Sequence, residues 1–232
     1  MAEIGALYRA GRLRISELVG PLGAAGADRP VPACPGWAVR DVVAHLAGAC
    51  ADALAGRLDG VTTAAWADAQ VDQRRERTIA ELLEEWSTVA PPLEASADER
   101  LPSPLQTIWV LDVTAHEHDV RGALDRPGAR DTEALLLVLD FLVREFMHRK
   151  MAGAGVGPVE IRTPVRSWVV GPDGEAGAVA TLDVSPFELF RALTGRRSTA
   201  QIARLDWSAD PSPYLPAFEF GTFTTRTTDL VE

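Results

Sequence analysis

Apolar residues recur at helical spacing through the first two-thirds of the chain, and charged residues fall between them. Five such stretches are separated by segments rich in glycine and proline: residues 3–22, 37–56, 71–87, 105–124 and 132–151. Each stretch carries a stripe of apolar side chains that is stable only when buried against another element. The pattern therefore predicts an all-helical bundle.

The pattern changes after residue 152, where the sequence GAGVGP begins. The runs that follow, VEIRTPV, SWVVG and AVATLDV, are short and rich in β-branched residues, and turn signals such as GPDGEAG separate them. They predict a small sheet, and PFELFRALTGRRS predicts an amphipathic helix with a glycine stop. We therefore expect a helical bundle over residues 1–153, followed by a small α+β domain over residues 154–232.

Composition and charge narrow the classes of partner. The 232 residues are 47% hydrophobic and 24% charged, which is the balance of an ordinary folded protein rather than a disordered one. The 33 acidic and 23 basic residues give a formal net charge of -10, opposite in sign to the surface that nucleic acids select. The sequence therefore argues against a nucleic-acid partner.

Cysteine content and hydropathy indicate the compartment. Two cysteines, Cys34 and Cys50, are too few for a disulfide framework. No apolar run approaches the ~18 residues of a membrane span, and the amino terminus lacks the pattern of a signal peptide. We expect a cytoplasmic protein without a membrane anchor, and the sequence leaves its oligomeric state open.

One face of the fourth predicted helix collects residues that can carry chemistry. Asp112, His116 and Asp119 are separated by four and three residues, so at ~100° per residue their side chains project within ~60° of one another. Their neighbours on that face are apolar, which predicts that the face turns inward. Glu117 and His118 point away from it, and we expect them on the solvated surface.

His45, in the middle of the second predicted helix, completes a candidate ligand set. With Asp112 and His116 it would give three protein ligands and an open position, the geometry of a catalytic zinc site. Two other interpretations stay open: the Asp112 and His116 pair can be a plain buried hydrogen bond, and His45 can be a satisfied core histidine. Cys34 is expected to have a packing role, because no base lies near it in sequence. Trp37 is also expected to pack, because a tryptophan at a helix start is more often a packing anchor than a platform for a substrate.

The segments VPACPGWAVRDVVAHLAG and, later in the chain, DVTAHEHDVRGAL resemble the mycothiol-dependent maleylpyruvate isomerase family of the DinB-like superfamily. Members of that family carry a Cys-Pro-Gly-Trp helix start, a histidine eight residues after the tryptophan, and a later carboxylate-x-x-x-His-x-x-Asp pattern. All three are present here in order. The segment ALTGRRS resembles the family's second domain, which implies a sterol-carrier-like α+β fold, so the resemblance spans nearly the whole chain.

The resemblance implies a divalent metal, usually zinc, held by His45, Asp112 and His116, with an open position for the small-molecule thiol mycothiol. The family usually has glutamate where this chain has Asp112, and aspartate is one methylene shorter, although both carboxylates ligate divalent ions. The family also more often places threonine or serine at the position of Ala38. Loss of that hydroxyl weakens the helix cap by roughly 1 kcal/mol.

The resemblance also implies a reaction. A metal-bound thiol loses its proton near neutral pH, and the thiolate is the reactive nucleophile. In the family reaction the thiolate adds to the conjugated double bond of maleylpyruvate, rotation follows about the new single bond, and elimination leaves the trans isomer. Asp119 is then a hydrogen-bond acceptor for His116 or a proton relay, and its alternative role is a salt bridge with Arg121 or another arginine.

An arginine from the second domain is also implied, because a guanidinium binds the carboxylates of such a substrate in pairs. Arg196, Arg197 and Arg226 are the candidates, and each can instead be a solvated surface arginine. The sequence does not choose among them. We take Arg197, with Asp119, as the catalytic candidates.

Three functions are compatible with the sequence. The first is a metal- and thiol-dependent enzyme, either an isomerase or a transferase that attaches mycothiol to an electrophile, since one such scaffold serves several electrophiles. The second is a non-catalytic, metal-containing module that binds an apolar small molecule in its carboxyl-terminal domain. The third is a regulatory or interaction protein that uses its metal only for stability. The first is our prediction, with the substrate left open.

Overall fold

The computed structural model describes residues 3–154, 156–172 and 179–232. The chain divides into two compact units, Met1–Gly128 together with Glu232, and Ala129–Val231. The amino-terminal part is helical and the carboxyl-terminal part contains a small sheet, which confirms the predicted fold class. The two units divide between Gly128 and Ala129, upstream of the boundary between residues 153 and 154 that composition predicts. The predicted position is where the last helix before the sheet ends. A domain boundary at that position stays a prediction.

The first unit is a bundle of helices. Its described residues form α1 (Ile4–Val19), α2 (Ala24–Ala27), α3 (Val39–Leu54), α4 (Ala64–Asp72), α5 (Ile79–Glu94), α6 (Ala97–Arg100) and α7 (Ser103–Leu124). Both α1 and α3 pack on α5 and α7, so the four long helices enclose one core. Apolar stripes form that core, and its members include Tyr8, Val43, Leu46, Trp86 and Val113.

The third predicted helix is two helices in the structure. α4 ends at Asp72 and α5 begins at Ile79, so the continuous helix predicted over residues 71–87 is wrong. Thr78 and Glu81 form a capping box that starts α5: the Glu81 amide donates to Thr78 Oγ1 at 3.3 Å, and the Thr78 amide donates to Glu81 Oε2 at 2.8 Å. This local pairing fixes a new helix start inside an otherwise periodic stretch.

A buried ion pair anchors the end of α5 on α1. α5 runs through Pro91 and Pro92 and ends at Glu94. The Glu94 carboxylate is buried and accepts hydrogen bonds from Arg12 Nε at 2.7 Å and from Arg9 Nε at 2.9 Å. Because both arginines belong to α1, these bonds hold the final turn of α5 against that helix.

The helix that carries His45 begins without a side-chain acceptor at its cap. Ala38 is the residue before α3, as the sequence indicates. Asp41 supplies half of the missing interaction, because its Oδ2 accepts the Ala38 amide at 2.8 Å. The only capping bond that Ala38 cannot make is therefore the one in which a side-chain oxygen at residue 38 accepts a main-chain N–H of the first turn.

The second unit combines a broken helix with a small sheet. Its described elements are α8 (Glu133–Phe141), a π-helical turn (Leu142–Met147), α9 (His148–Gly153), β1 (Val159–Arg162), β2 (Ser167–Val170), β3 (Ala180–Asp183), α10 (Pro186–Leu193), α11 (Thr199–Ala203), β4 (Asp206–Trp207) and a 3₁₀ turn (Leu215–Phe218). α10 packs on α8. The segment PFELFRAL thus forms the predicted amphipathic helix, with Ser185 as its cap.

The sheet has the strand order β2-β1-β3-β4. β1 is antiparallel to β2 and parallel to β3, and β3 is antiparallel to β4. Alternate residues point to opposite faces, so one face buries Val159, Ile161, Trp168, Val170 and Leu182. The other face is exposed and mostly polar, with Val169 among its residues. The three β-branched runs form β1, β2 and β3, and the predicted turn GPDGEAG lies mostly outside the described residues, at 173–177.

α7 is the longest helix, with 22 residues, and it carries charged and imidazole side chains along its length. In the part of the chain that the structure describes, no helix combines the length and the apolar composition of a membrane span. The cytoplasmic location stays a prediction.

Candidate metal centre

Three of the predicted site residues converge inside the first unit. α3 brings His45 to α7, where Asp112 and His116 lie one helical turn apart. His45 Nε2 lies 3.3 Å from Asp112 Oδ2, and His116 Nε2 lies 3.5 Å from Asp112 Oδ1. The two imidazole ring centres are 5.2 Å apart. Two nitrogens and one carboxylate oxygen therefore face a common point, and we refer to these three residues as the Nε2 set.

The Nε2 set is buried on the histidine side and open on the carboxylate side. His45 and His116 are buried, whereas 29% of the Asp112 side chain is exposed. Burial lowers the pKa of His45, but the charge of Asp112 and hydrogen bonds that the protonated ring donates to Asp112 and Gln70 outweigh it, so the pKa of His45 is raised overall. A raised pKa means that a proton competes with a cation at His45, and cation binding is lost as the pH falls.

A hydrogen-bond chain fixes the orientation of the His45 ring. The side-chain nitrogen Nε2 of Gln70 donates to Asp52 Oδ2 at 3.0 Å, which leaves Gln70 Oε1 facing His45 Nδ1 at 2.7 Å. An amide oxygen only accepts, so Nδ1 carries the proton and Nε2 presents its lone pair towards Asp112. Sequence analysis missed Gln70, because nothing in the pattern of α4 indicates which helix it faces.

The His116 ring is held in the same tautomer by a carboxylate. His116 Nδ1 lies 3.0 Å from Asp119 Oδ2, and Asp119 is fully buried. An ionised carboxylate accepts the Nδ1 proton, so Nε2 is again free to bind a cation. Arg121 forms its ion pair with Glu117, at 3.0 Å, and not with Asp119, the partner that the sequence left open.

Gly48 permits the close approach of α4 to α3 at this point. A Cβ at residue 48 would lie 2.7 Å from the Cβ of Gln70 and 2.8 Å from Nη1 of Arg74. The same Nη1 donates to the main-chain oxygen of Gln70 at 3.2 Å. The missing side chain is therefore what allows Gln70 to reach His45, one helical turn before Gly48 on α3.

Replacement of Gln70 by alanine is expected to weaken divalent-cation binding by about 10- to 100-fold, the range typical for loss of the group that orients a ligand histidine. Without the amide oxygen, His45 Nδ1 has no acceptor and the ring no longer holds one tautomer. The zinc affinity is measured by competition with a chromogenic chelator. The exposed Gln73 provides the control: Gln73→Ala leaves the affinity unchanged, and equal losses in both variants would contradict this role.

Aromatic rings form the wall of the site. The Trp37 ring centre lies 5.3 Å from that of His45 and 5.9 Å from that of His116, and the Trp66 ring centre lies 6.1 Å from that of His45. Trp37 is half-buried rather than a core residue. The side chains against which Trp37 packs therefore include the two site histidines. Trp66 is a further neighbour of His45 that the sequence pattern did not reveal.

Cys34 has neighbours that its sequence position did not suggest. Its Sγ lies 3.2 Å from Asp119 Oδ2 and 3.8 Å from His116 Nδ1. No base lies near Cys34 in sequence, but Asp119 and His116 are near it in space, because the loop before α3 folds back onto α7. Cys50, by contrast, is buried and lies 3.0 Å from the Tyr8 hydroxyl, so it belongs to the core as expected.

The two cysteines are expected to differ sharply in reactivity. Burial raises the pKa of Cys50 to about 12, and solvent does not reach it, whereas Cys34 is half-exposed. A disulfide reagent should modify one thiol per native chain, and the second only after denaturation, as read by absorbance of the released thiol. The Cys34→Ser variant should show no native reaction. Rapid reaction of that variant would refute the assignment.

Glu117 and His118 are buried, so their expected place on the solvated surface is wrong. They are 1% and 3% exposed. Glu117 is compensated by Arg14 of α1, whose Nη2 lies 2.6 Å from Glu117 Oε2, and by Arg121. The helix face opposite the site is therefore lined by charge pairs rather than by water.

Comparison with known proteins identifies the first unit. Residues 8–121 match the mycothiol maleylpyruvate isomerase N-terminal domain. This region belongs to that domain family. The chain matches no curated protein sequence.

Two solved structures are similar in fold to this chain. The crystal structure of a mycothiol-dependent maleylpyruvate isomerase matches with a TM-score of 0.57 and 14% identity, covering 84% of this chain and 88% of its own. A mutant of such an isomerase, with one histidine replaced by alanine, matches with a TM-score of 0.56 and 14% identity, covering 83% and 88%. At this identity the two structures show a common fold.

The arginines that the family resemblance singles out lie in the second unit. Arg197 is buried, and its Nε and Nη2 donate to the two carboxylate oxygens of Glu188 at 2.8 and 2.9 Å. This fork lowers the pKa of Glu188. Arg196 Nη1 donates to the Thr194 main-chain oxygen at 2.6 Å, and the Arg226 amide donates to the Arg197 main-chain oxygen at 3.0 Å. All three candidates therefore occupy one region, and a catalytic role for Arg197 stays a prediction.

Proposed function

We propose that this protein is a metal-dependent enzyme that activates mycothiol for the isomerisation of a maleylpyruvate-like substrate or for transfer to an electrophile. The observation that carries the proposal is the convergence of His45, Asp112 and His116, with both imidazoles held in the tautomer that presents Nε2. A structural hydrogen bond between aspartate and histidine needs neither the second histidine nor the matched tautomers.

The donor set fits a divalent cation, and zinc is the one we propose. Two imidazole nitrogens and one carboxylate oxygen are the ligands of many catalytic zinc sites, and the partly exposed Asp112 leaves one side open. The shorter aspartate still reaches, because its oxygens lie 3.3 to 3.5 Å from both histidine nitrogens. When bound there, the cation supplies a positive charge that lowers the pKa of a thiol at the open position.

The remaining residues position and protect the reacting groups. Asp119 accepts the Nδ1 proton of His116 and so holds that ring in one orientation and one tautomer, and we propose that it also accepts a proton during turnover. Trp37 and Trp66 pack against the ring of His45. We propose Arg197 as the anchor for a substrate carboxylate, which would have to displace Glu188 from Nε and Nη2.

The test is a pair of assays on zinc-loaded protein with mycothiol. One follows isomerisation of maleylpyruvate, and the other follows conjugation of mycothiol to a small electrophile by mass spectrometry. We expect metal-dependent turnover in at least one assay, abolished in His116→Ala. Stoichiometric zinc that raises the melting temperature, with no turnover in either assay, would instead support a metal that serves only stability.

A cavity in the second unit favours one alternative, the binding of an apolar small molecule. It measures about 330 Å³ and is lined by Val143, Arg144, His148, Ser167, Trp168, Val169 and Val170. Four of these seven residues are apolar and three are polar, so the lining suits a small molecule that carries a polar group beside its apolar part. Mass spectrometry of the native protein would detect a co-purified ligand, and a Val170→Arg variant should lose it. Protein that carries such a ligand and shows no turnover in either assay would favour this alternative over the enzyme.

A further inference from the structure

The imidazole of His116 faces a different group of ligands on each of its two nitrogens. Nε2 faces Asp112 and belongs to the Nε2 set. Nδ1 lies 3.0 Å from Asp119 Oδ2 and 3.8 Å from Cys34 Sγ, and these last two atoms are 3.2 Å apart. Ligand atoms of Cys34, His116 and Asp119 all lie within 4.8 Å of one another. We refer to these three residues as the Nδ1 set.

The chemistry of the Nδ1 set differs from that of the Nε2 set in one ligand. A cysteine sulfur replaces the second imidazole, and thiolate ligands select soft, thiophilic cations. His116 and Asp119 are buried, whereas Cys34 is half-exposed and gives a cation a route of entry. The combination of sulfur, nitrogen and oxygen donors is suited to a cation such as Cd²⁺.

The two sets cannot both be filled while the His116 ring is neutral, because a neutral imidazole has one lone pair and one proton. When Nε2 binds a cation, the Nδ1 proton is donated to Asp119. When Nδ1 binds a cation, the ring proton moves to Nε2, next to Asp112. Binding at the Nδ1 set also displaces the Cys34 thiol proton to solvent, so each cation bound releases one proton.

We propose that Cys34, His116 and Asp119 form a second cation site, selective for thiophilic divalent ions, which competes with the Nε2 set for the single imidazole of His116. A thiophilic ion at the Nδ1 set removes His116 from the Nε2 set and leaves that set with two ligands. The site therefore excludes a cation from the Nε2 set without occupying it. The competition rests on the metal centre of the proposed function, but it does not rest on catalytic turnover there.

Titration of the full chain with Cd²⁺ tests the site, because a cadmium–thiolate bond has an ultraviolet charge-transfer band. The wild type should show this band and bind one cadmium per chain. Cys34→Ser should lose the band completely yet still bind zinc stoichiometrically, which separates this result from a failure of the Nε2 set. Cys50→Ser, the control for the other thiol, should keep the band.

The decisive variant is His45→Ala, which removes a ligand of the Nε2 set only. It should keep the cadmium–thiolate band, and the zinc concentration that displaces the band should rise. Asp112→Asn serves the same purpose if His45→Ala fails to fold by circular dichroism. The proposal is overturned by a wild type without the band, by loss of the band in His45→Ala and Asp112→Asn as complete as in Cys34→Ser, or by loss of zinc binding in Cys34→Ser.

Discussion

Replacement of His116 by alanine should abolish the stoichiometric binding of divalent cations that we propose, while the helical content stays close to that of the wild type. His116 contributes Nε2 to one set of ligand atoms and Nδ1 to the other, so neither of the two ligand sets found among the described residues keeps three protein ligands without it. The affinity should fall by more than the ~10- to 100-fold typical of losing an outer partner. Elemental mass spectrometry and far-ultraviolet circular dichroism measure the two quantities.

His118→Ala is the matched control for that variant. His118 is also buried, but it projects from α7 about 200° away from His116, because it lies two positions further along the helix. We expect the control to lose some stability and to keep its metal. Metal loss in His118→Ala together with retention in His116→Ala would reverse the helix register on which the whole site depends.

Replacement of Glu94 by glutamine should lower the free energy of unfolding by about 3–5 kcal/mol, the cost typical of removing one partner from a buried ion pair. Glutamine keeps the shape of the side chain but leaves the buried guanidinium of Arg12 without a countercharge. The side chains of Arg12 and Glu94 are 9% and 1% exposed, so water does not compensate. Chemical denaturation followed by tryptophan fluorescence measures the change.

Arg9→Ala provides the comparison, because Arg9 donates to the same carboxylate from a side chain that is 50% exposed. Solvent screens an exposed pair, so we expect Arg9→Ala to cost much less stability than Glu94→Gln. If both variants lost the same free energy, burial of the Arg12 and Glu94 pair would not be what holds α1 to α5.

The helices, and the grouping of three polar residues on one face of α7, could be predicted because both depend only on the local sequence. Helical rotation places Asp112, His116 and Asp119 on one face whatever surrounds them, and the structure has all three facing the site. The sheet was predictable for the same reason, because β-branched runs between turn signals have few alternatives. The pairing of His45 with α7 needed one further assumption, that facing helices in a bundle meet at one level.

α7 also shows where periodicity stops being informative. Buried residues occupy every side of its second half, so Glu117 and His118 are as buried as the site residues. A helix buried all round has no polar face to predict. The charge of Glu117 is compensated by Arg14, 103 residues earlier in the chain, and a sequence pattern does not show that such a partner will arrive.

Gln70 was missed for a related reason. An amide side chain serves equally well at the surface or as an acceptor, and only the packing of α4 on α3 decides between the two. The contacts of Cys34 with His116 and Asp119 could not be predicted, because both residues belong to a helix far along the chain. In both cases the chemistry depends on tertiary contacts that local propensity does not encode.

Gly48 offers a criterion for interpreting related sequences. Consider a relative that keeps both histidines and the carboxylate but carries alanine or a larger residue at this position. Such a chain has no room for the amide that selects the His45 tautomer, and we expect it to bind cations weakly despite a complete set of ligands. A comparison of ligand residues alone would miss that difference, whereas the residue at position 48 should reveal it.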